Sequence, residues 1–338
     1  MSTYSTINPA TGEKLAEFEV VDDATMDGLI SSSAVAYASW RSTALEARTD
    51  TLRRVADLHL ERLDDLAALL TLEMGKPVVQ AEGEVKLVAS IYRYYADNAA
   101  KFLADEELDI VGGGTAVVRT EAIGPLLGIM PWNFPYYQAA RFIAPNLALG
   151  NTIIVKHARN CPQSALAIES VLRDAGVPDG AYLNAFLTTD QVAAVIADPR
   201  VQGVSLTGSE RAGSAVGEVA RRHMKRYVLE LGGSDPFIVL DDADIDEAVA
   251  AGVANRVSNG GQTCTASKRF IVVDSVYEEF TKKFVDALTS IEPADPTLRE
   301  TNLGPLATVG AADDLDEIVQ DAVERGARLH VAPGAARQ

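Results

Sequence analysis

The chain has 338 residues, of which 48 are acidic and 30 are basic, so its formal net charge is −18 at pH 7. Such a chain offers no basic surface for neutralising phosphates, which excludes nucleic acids and anionic membranes as favoured partners. Its length predicts two domains, and the 47% of hydrophobic residues supply ample material for their cores. Small-molecule chemistry is therefore the favoured class of function.

The amino terminus and the cysteine count indicate the compartment. Residues 1–9 have neither the basic flank nor the apolar run of a signal peptide, and no stretch is long enough to cross a bilayer, so a cytoplasmic protein is expected. Two cysteines, Cys161 and Cys264, are too few for a disulfide framework or a thiolate zinc site. No metal is predicted, because the four histidines show no metal-ligand spacing; they are His59, His157, His223 and His330.

The first third of the chain predicts helices followed by a hairpin. Residues 24–105 carry apolar side chains three or four positions apart, which is typical of an antiparallel helical layer. Three glycines, 112–114, then separate two short β-prone runs and predict a projecting hairpin over 106–122. A two-stranded ribbon is marginal by itself, so we expect it to pair with another subunit in a homo-oligomer, either a dimer or a tetramer.

Beyond residue 122, short apolar runs alternate with helical stretches. This alternation is typical of parallel sheets wrapped by helices, and predicts an α/β protein with a Rossmann-like cofactor domain. Five strands are predicted at 126–130, 152–155, 182–186, 203–206 and 227–229, with helices near 137–149, 163–175, 189–197 and 209–223. A second set predicts another α/β domain that stops before closing, with strands at 236–240 and 269–273 and helices near 244–257, 276–289 and 311–326.

The predicted domain bounds follow from these elements. The cofactor-binding domain comprises residues 1–105 and 123–232, and the hairpin at 106–122 is its oligomerisation arm. Residues 233–338 form the second α/β domain, which stops before closing.

Cys264 is the first candidate for chemistry. It follows the paired glycines Gly260 and Gly261, which let the backbone fold tightly around a thiol. A lone cysteine is more commonly a small buried hydrophobe. Its polar neighbours Asn259 and Gln262 make a poor core strand, which favours a loop facing a cleft and a nucleophilic role.

Two further polar side chains follow predicted strands. Glu230 directly follows the run 227–229, at the strand end where open α/β sheets bind ligands, and could accept a proton. A surface glutamate before a turn is the alternative. Asn133 lies between Pro131 and Pro135, where its amide could donate to an oxyanion or simply form an Asx-type turn.

Two segments have the character of an anion site. Gly208 and Ser209 join a strand to a helix, whose first N–H groups could receive a pyrophosphate, although Ser209 also suits an ordinary helix start. Lys156 and Arg159 place two cations at another strand end. They favour an anionic ligand such as a nucleotide over a solvated basic turn.

Taken together and in order, these segments resemble the aldehyde dehydrogenase family along nearly the whole chain, and most of all its bacterial NADP-dependent succinate-semialdehyde dehydrogenases. The segments that match the family are residues 8–13, 131–135, 154–156, 206–209, 229–233, 261–264 and 303–305. The likeness to succinate-semialdehyde dehydrogenases rests on residues 156–158, 231–240 and 266–269. The resemblance implies that Cys264 is the nucleophile, Glu230 the general base, and Asn133 with the Cys264 N–H the oxyanion hole. It implies a thioester route from succinate semialdehyde to succinate, with hydride transfer to the cofactor.

The same resemblance implies a cofactor site. Arg159 stands where NAD-preferring relatives often have a glutamate, and a guanidinium suits a 2′-phosphate, so NADP is predicted, with NAD possible. The implied cofactor-binding residues are Trp132, Asn133, Lys156, His157, Ala158, Arg159, Gly208, Ser209 and Leu231. Cys161 has no predicted role and is expected to be structural.

Arg141 matches the position of a substrate-carboxylate arginine in semialdehyde dehydrogenases of this type, whereas Ser258 replaces a second arginine that some relatives have. A dehydrogenase for another small aldehyde, such as glutarate semialdehyde, is therefore the alternative within the family. Family members continue beyond the position of Gln338, so the resemblance implies that residues 233–338 are the catalytic domain with its C-terminal part missing. A non-catalytic nucleotide-binding remnant is the alternative from another class. A cofactor-free acyl-transfer enzyme would leave the nucleotide-site residues without a role.

Overall fold

A computed structural model describes residues 3–331. The described chain forms two compact units, the first from residues 3–6, 14–69 and 82–231 and the second from residues 7–13, 70–81 and 232–331. Residues 70–81, predicted in the first domain, belong to the second unit because their backbone is bound there. The Val78 N–H donates to the Pro296 carbonyl at 2.8 Å, and Gly75 packs directly against Pro305.

The amino-terminal region is a small ribbon followed by helices. Strands β1 (Tyr4–Ile7) and β2 (Lys14–Phe18) form a two-stranded sheet that was not predicted from the sequence. The predicted helical layer consists of α1 (Asp23–Trp40), α2 (Leu45–Glu61), α3 (Leu63–Met74) and α4 (Val78–Phe102). Its periodicity has the expected cause, since Leu52, Val55 and Ala56 of α2 are completely buried.

The predicted hairpin is present. Strands β3 (Glu106–Leu108) and β4 (Ala116–Val118) pair antiparallel, and the three glycines between them all have positive φ. Only glycine adopts that conformation readily, so the turn follows directly from the sequence.

The first unit contains a five-stranded parallel sheet in the order β7-β6-β5-β8-β9. Its strands are β5 (Pro125–Ile129), β6 (Thr152–Lys156), β7 (Tyr182–Asn184), β8 (Gly203–Thr207) and β9 (Arg226–Glu230). The crossover helices are α5 (Pro135–Leu149), α6 (Pro162–Asp174), α7 (Thr189–Ala197) and α8 (Glu210–Arg222). Strand order reverses between β5 and β8, and such switch points form ligand crevices outside the carboxyl ends of the strands.

The second unit has its own core around a parallel pair of strands, β10 (Asp235–Val239) and β11 (Ser267–Val272). Its helices are α9 (Ile245–Val257), α10 (Asp274–Thr289) and α11 (Val309–Glu324). Val239 and Phe280 are buried there, with Phe270 and Phe284 packed against them.

Every predicted strand and helix of both α/β regions is confirmed, with ends that differ by at most two residues. Within residues 3–331, each helix is too short or too polar to span a bilayer.

Candidate active site

Four polar segments of the first unit follow four neighbouring strands of the sheet. Asn133 follows β5, Arg159 follows β6, Gly208 follows β8, and Leu231 follows β9. Because all five strands are parallel, their carboxyl ends lie at one edge of the sheet. The structure thus gathers at this edge the residues that the sequence predicts for the cofactor, together with Asn133 and Glu230.

The Asn133 loop runs from the end of β5 to the start of α5. Asn133 Oδ1 accepts a hydrogen bond from the N–H of the next residue, Phe134, at 3.1 Å. This bond does not use the amide nitrogen, which is the group that the oxyanion role needs. Helix α5 then begins at Pro135, whose missing N–H suits a first helical position.

His157 holds this loop from the end of β6. Its ring is completely buried, with Nε2 3.0 Å from the Pro135 carbonyl and Nδ1 2.8 Å from the Ala158 N–H. These partners assign the proton to Nε2. Burial lowers the pKa of His157 to about 4, so the ring is neutral. The predicted cofactor residue His157 therefore fixes the backbone of the turn, and its side chain is closed off from solvent.

Lys156 and Arg159 flank the buried histidine. Lys156 Nζ lies 5.5 Å from the ring centroid of Tyr4, and burial, aided by the charge of Arg159, lowers the pKa of Lys156 to about 8. The Ser5 N–H donates to the Arg159 carbonyl at 3.0 Å, so strand β1 supports this turn. Within the described chain the exposed Arg159 guanidinium has no carboxylate partner, so it can receive an anion.

The start of α8 provides the complementary donors. Ser209 is the N-cap, and its Oγ accepts from the Ala212 N–H at 3.3 Å. The Gly208 N–H donates to the Glu230 carbonyl at 3.0 Å, which ties the ends of β8 and β9 together. A Cβ on Gly213 would lie 2.6 Å from Leu231 Cδ2, so α8 lies close against Leu231. The helix start can bind a phosphate through its N–H groups and dipole.

Arg141 and Glu230, predicted for different roles, contact each other. Arg141 Nη2 lies 2.8 Å from Glu230 Oε2, and the guanidinium also lies 5.9 Å from the Tyr137 ring centroid. Both line a cavity of about 340 Å³ in the first unit, together with Met130 and Tyr227. The cavity therefore presents a cation and a carboxylate side by side.

Cys264 belongs to the second unit and follows a tightly folded loop. A short 3-10 helix, Ser258–Gly261, contains three consecutive left-handed residues, Asn259, Gly260 and Gly261, with φ of +55°, +63° and +74°. Cys264 is partly exposed, which opposes the alternative of a buried hydrophobe.

Cys161 is completely buried in the first unit, with Sγ 3.8 Å from the Trp132 carbonyl, in agreement with a structural role.

Side-chain hydrogen bonds hold the Cys264 loop. Gln80 Oε1 accepts from the Asn259 N–H at 2.8 Å, and Gln262 Oε1 accepts from the Ala307 N–H at 3.0 Å. Lys268 Nζ donates to the Cys264 carbonyl at 2.8 Å and to two neighbouring carbonyls at 3.2 Å each. Sequence reasoning assigned no role to Gln80 or Lys268. The segment containing Lys268 could be noticed only as a mark of resemblance, and nothing local distinguished Gln80.

Comparison with known proteins identifies the family. The aldehyde dehydrogenase family model matches residues 1–338. The chain is 50% identical over 326 residues to the NADP(+) succinate-semialdehyde dehydrogenase of Deinococcus radiodurans, covering 96% of this chain and 68% of that protein. It is 44% identical over 326 residues to succinate-semialdehyde dehydrogenase [NADP(+)] 1 of Mycobacterium ulcerans, covering 96% of this chain and 71% of that protein.

The solved structures agree. A crystal structure of succinic semialdehyde dehydrogenase from Streptococcus pyogenes in complex with NADP+ superposes with a TM-score of 0.96 at 40% identity, covering 99% of this chain and 73% of that one. The predicted α/β fold and the predicted family are both confirmed. The chain belongs to the aldehyde dehydrogenase family.

Proposed function

We propose that this chain oxidises succinate semialdehyde to succinate, with NADP as its cofactor. Anion-binding groups and a carboxylate that can act as a base lie at the same edge of the parallel sheet, and this observation carries the proposal. Relatives at 44–50% identity bear the name of this activity, and one structural neighbour was solved with NADP+.

The residues at the sheet edge fit NADP. Ser209 and the first N–H groups of α8 would hold the pyrophosphate, as Gly208 lets the chain turn into the helix. Lys156 and the unpaired Arg159 would hold the 2′-phosphate that distinguishes NADP from NAD. Trp132, Ala158 and the Leu231 backbone complete the proposed site, and the His157 ring supports it from beneath. When bound, NADP supplies the acceptor for the hydride that the aldehyde carbon loses.

The proposed chemistry starts at the thiolate of Cys264. Its sulfur forms a C–S bond with the aldehyde carbon, and the resulting oxyanion accepts hydrogen bonds from the Asn133 amide and the Cys264 N–H. Loss of hydride from that carbon leaves a thioester on Cys264. Glu230 takes a proton from a water molecule while the oxygen of that water attacks the thioester carbon. The C–S bond then breaks, which regenerates the Cys264 thiolate and releases the carboxylic acid.

We propose that Arg141 binds the carboxylate of the substrate. In the structure its guanidinium already binds a carboxylate, that of Glu230, at 2.8 Å. A substrate with a terminal carboxylate presents the same chemical group, whereas an uncharged aldehyde does not. Glutarate semialdehyde, one methylene longer, is the alternative substrate within this class.

We further propose that the β3–β4 hairpin joins subunits of a homo-oligomer. Val117 and Val118 on its second strand are about half exposed, at 48% and 49%. A two-stranded ribbon of this kind gains stability by pairing. Light scattering coupled to size-exclusion chromatography should give a mass of two or four chains, and Val117→Lys with Val118→Lys should lower it; a monomeric wild type contradicts the proposal.

The function is tested with the full chain by following the absorbance of reduced nicotinamide. Succinate semialdehyde, glutarate semialdehyde and butyraldehyde should each be offered with NADP and with NAD. We expect the highest kcat/KM with succinate semialdehyde and NADP. The Cys264→Ser variant should form no reduced nicotinamide with any of the three aldehydes. Higher kcat/KM with butyraldehyde contradicts the proposed substrate, and NADP binding without turnover on any aldehyde supports the nucleotide-binding remnant instead.

A further inference from the structure

Helix α5 is capped at its amino terminus by a residue from another helix. Its own N-cap residue, Phe134, provides no side-chain hydrogen bond. Instead Glu84 of α4 places Oε1 3.0 Å from the Tyr136 nitrogen and 3.0 Å from the Tyr137 nitrogen. Glu84 is 3% exposed, so this carboxylate is buried against the helix start.

These two bonds account for a specific need of α5. The first turn of a helix has N–H groups without intrahelical partners, and Pro135 at the first position removes one of them. Glu84 accepts the next two, at Tyr136 and Tyr137. A carboxylate is also favoured by the positive end of the helix dipole.

A local cap would satisfy the helix equally well. Serine, threonine or aspartate at the N-cap position is the common solution, and its hydrogen bond would not connect α5 to another element. With Glu84 as the cap, the first turn is fastened to α4. His157 Nε2, 3.0 Å from the Pro135 carbonyl, fastens the same turn to the end of β6. Pro135, Tyr136 and Tyr137 are thus held from two sides.

Asn133 lies two residues before this fastened turn. Between them stands only Phe134, and the φ of Pro135 is restricted by its ring. The position of the Asn133 amide therefore depends on where the first turn of α5 is held. An oxyanion donor must lie within a few tenths of an ångström of its working place to stabilise the developing charge.

We infer that Glu84 is a positioning residue for the Asn133 amide. By accepting the N–H groups of Tyr136 and Tyr137, it holds the Asn133 loop in the place from which the amide donates to the oxyanion. The inference rests on the proposed function for its catalytic consequence, but the fastening itself is a property of the first unit alone.

The first test compares Glu84→Ala, Glu84→Gln and Glu84→Asp. The glutamine oxygen can still accept both N–H groups, so Glu84→Gln should retain kcat within about threefold, whereas Glu84→Ala should lose about tenfold or more. Glu84→Asp retracts the oxygens and should lie between them. The Kd for NADP, measured by fluorescence titration, should change by a smaller factor than kcat in all three variants, because the inferred role of Glu84 concerns the donor to the oxyanion.

A matched control is Glu169→Ala. Glu169 of α6 also accepts a backbone N–H, from Asn184 at 2.9 Å, in the same unit but away from the Asn133 loop. It should leave kcat unchanged. If Glu169→Ala lowers kcat as much as Glu84→Ala, the effect is general loss of structure and the inference is wrong.

A double-mutant cycle identifies the residue through which Glu84 acts. If its effect passes through the Asn133 amide, Glu84→Ala should lower kcat little further in an Asn133→Ala background. Additive losses in the double variant overturn the inference.

Hydrogen exchange tests the fastening without turnover. The amides of Tyr136 and Tyr137 should exchange faster in Glu84→Ala than in the wild type and remain protected in Glu84→Gln. Unchanged exchange in Glu84→Ala overturns the inference whether or not the protein is active. If the wild type forms no NADPH while Glu84→Ala does expose these amides, the proposed function fails and the fastening of α5 stands. Should Glu84→Ala not fold, Glu84→Asp takes its place in both measurements.

Discussion

The guanidinium of Arg141 and the carboxylate of Glu230 form an ion pair, with Nη2 and Oε2 2.8 Å apart. One was predicted from the sequence to bind the substrate carboxylate and the other to be the base that activates water. Their contact connects the two roles. If Arg141 binds the substrate carboxylate as proposed, that group would compete with Glu230 for the guanidinium and would release the carboxylate that the later step requires.

Replacing Arg141 should therefore discriminate between substrates. We expect Arg141→Ala to lower kcat/KM for succinate semialdehyde by about tenfold to a hundredfold, the usual effect of losing a hydrogen bond between charged groups. The loss for butyraldehyde should be smaller, because that substrate makes no ion pair. Steady-state rates on both aldehydes measure the difference. Arg173→Ala, which removes an exposed arginine of α6, is the charge-matched control, and equal losses on both substrates would show that Arg141 does not bind the carboxylate.

The two cysteines should behave oppositely. Cys264→Ser should abolish NADPH formation and keep NADP binding, because only the partly exposed thiol is proposed to attack the aldehyde. Cys161→Ala should keep turnover at some cost in stability, since its sulfur is completely buried. Mass spectrometry after brief iodoacetamide treatment should find the label on Cys264 alone. Labelling of Cys161 in the folded protein, or turnover by Cys264→Ser, contradicts these assignments.

Arg159 should determine the choice of cofactor. In Arg159→Glu a carboxylate replaces the exposed guanidinium, so the Kd for NADP should rise by about tenfold or more and the ratio of kcat/KM for NAD to that for NADP should increase. The pKa of Lys156 should also rise, because the neighbouring positive charge that lowers it is gone. Arg221→Glu, on the exposed last turn of α8, makes the same change in net charge and should leave the ratio unchanged. A cofactor preference that Arg159→Glu does not shift would argue against NADP recognition here.

Two buried histidines should make the fold sensitive to acid. His59 stacks on Tyr92 with ring centroids 5.5 Å apart, and Nδ1 contacts the Val55 carbonyl at 2.8 Å. Burial lowers the pKa of both His59 and His157 from 6.5 to about 4. Between pH 4 and pH 6.5 the unfolded chain binds more protons than the folded one. The contribution of each histidine to the free energy of unfolding should therefore be complete above pH 6.5 and should fall as the pH drops toward 4, by up to roughly 3 kcal/mol per histidine.

Denaturant unfolding across this pH range checks the effect. His59→Phe keeps a ring that can stack on Tyr92 but cannot titrate, so its free energy of unfolding should decline less steeply than that of the wild type. The exposed His223 serves as the control, and His223→Gln should follow the wild-type slope. Identical slopes for His59→Phe and the wild type would mean that the buried ring does not contribute.

The sequence by itself determined the elements of this protein. Alternating apolar runs and helical stretches are local patterns, and so are the glycine turn of the hairpin and the paired glycines before Cys264. Because such patterns depend on neighbouring residues, the predicted strands and helices of both α/β regions lie within two residues of the observed ones. The motif order was also sufficient to indicate the family.

Only the tertiary structure decided how those elements support the candidate site. Glu84 reaches the first turn of α5 from a helix elsewhere in the chain, and Gln80 reaches the Asn259 N–H in the same manner within the second unit. The His157 ring, at the end of β6, is buried and contacts the Pro135 carbonyl at the start of α5. Hydrogen bonds of this kind join residues far apart in sequence, so no local pattern encodes them; they arise when packing brings a buried polar group to the one partner that satisfies it.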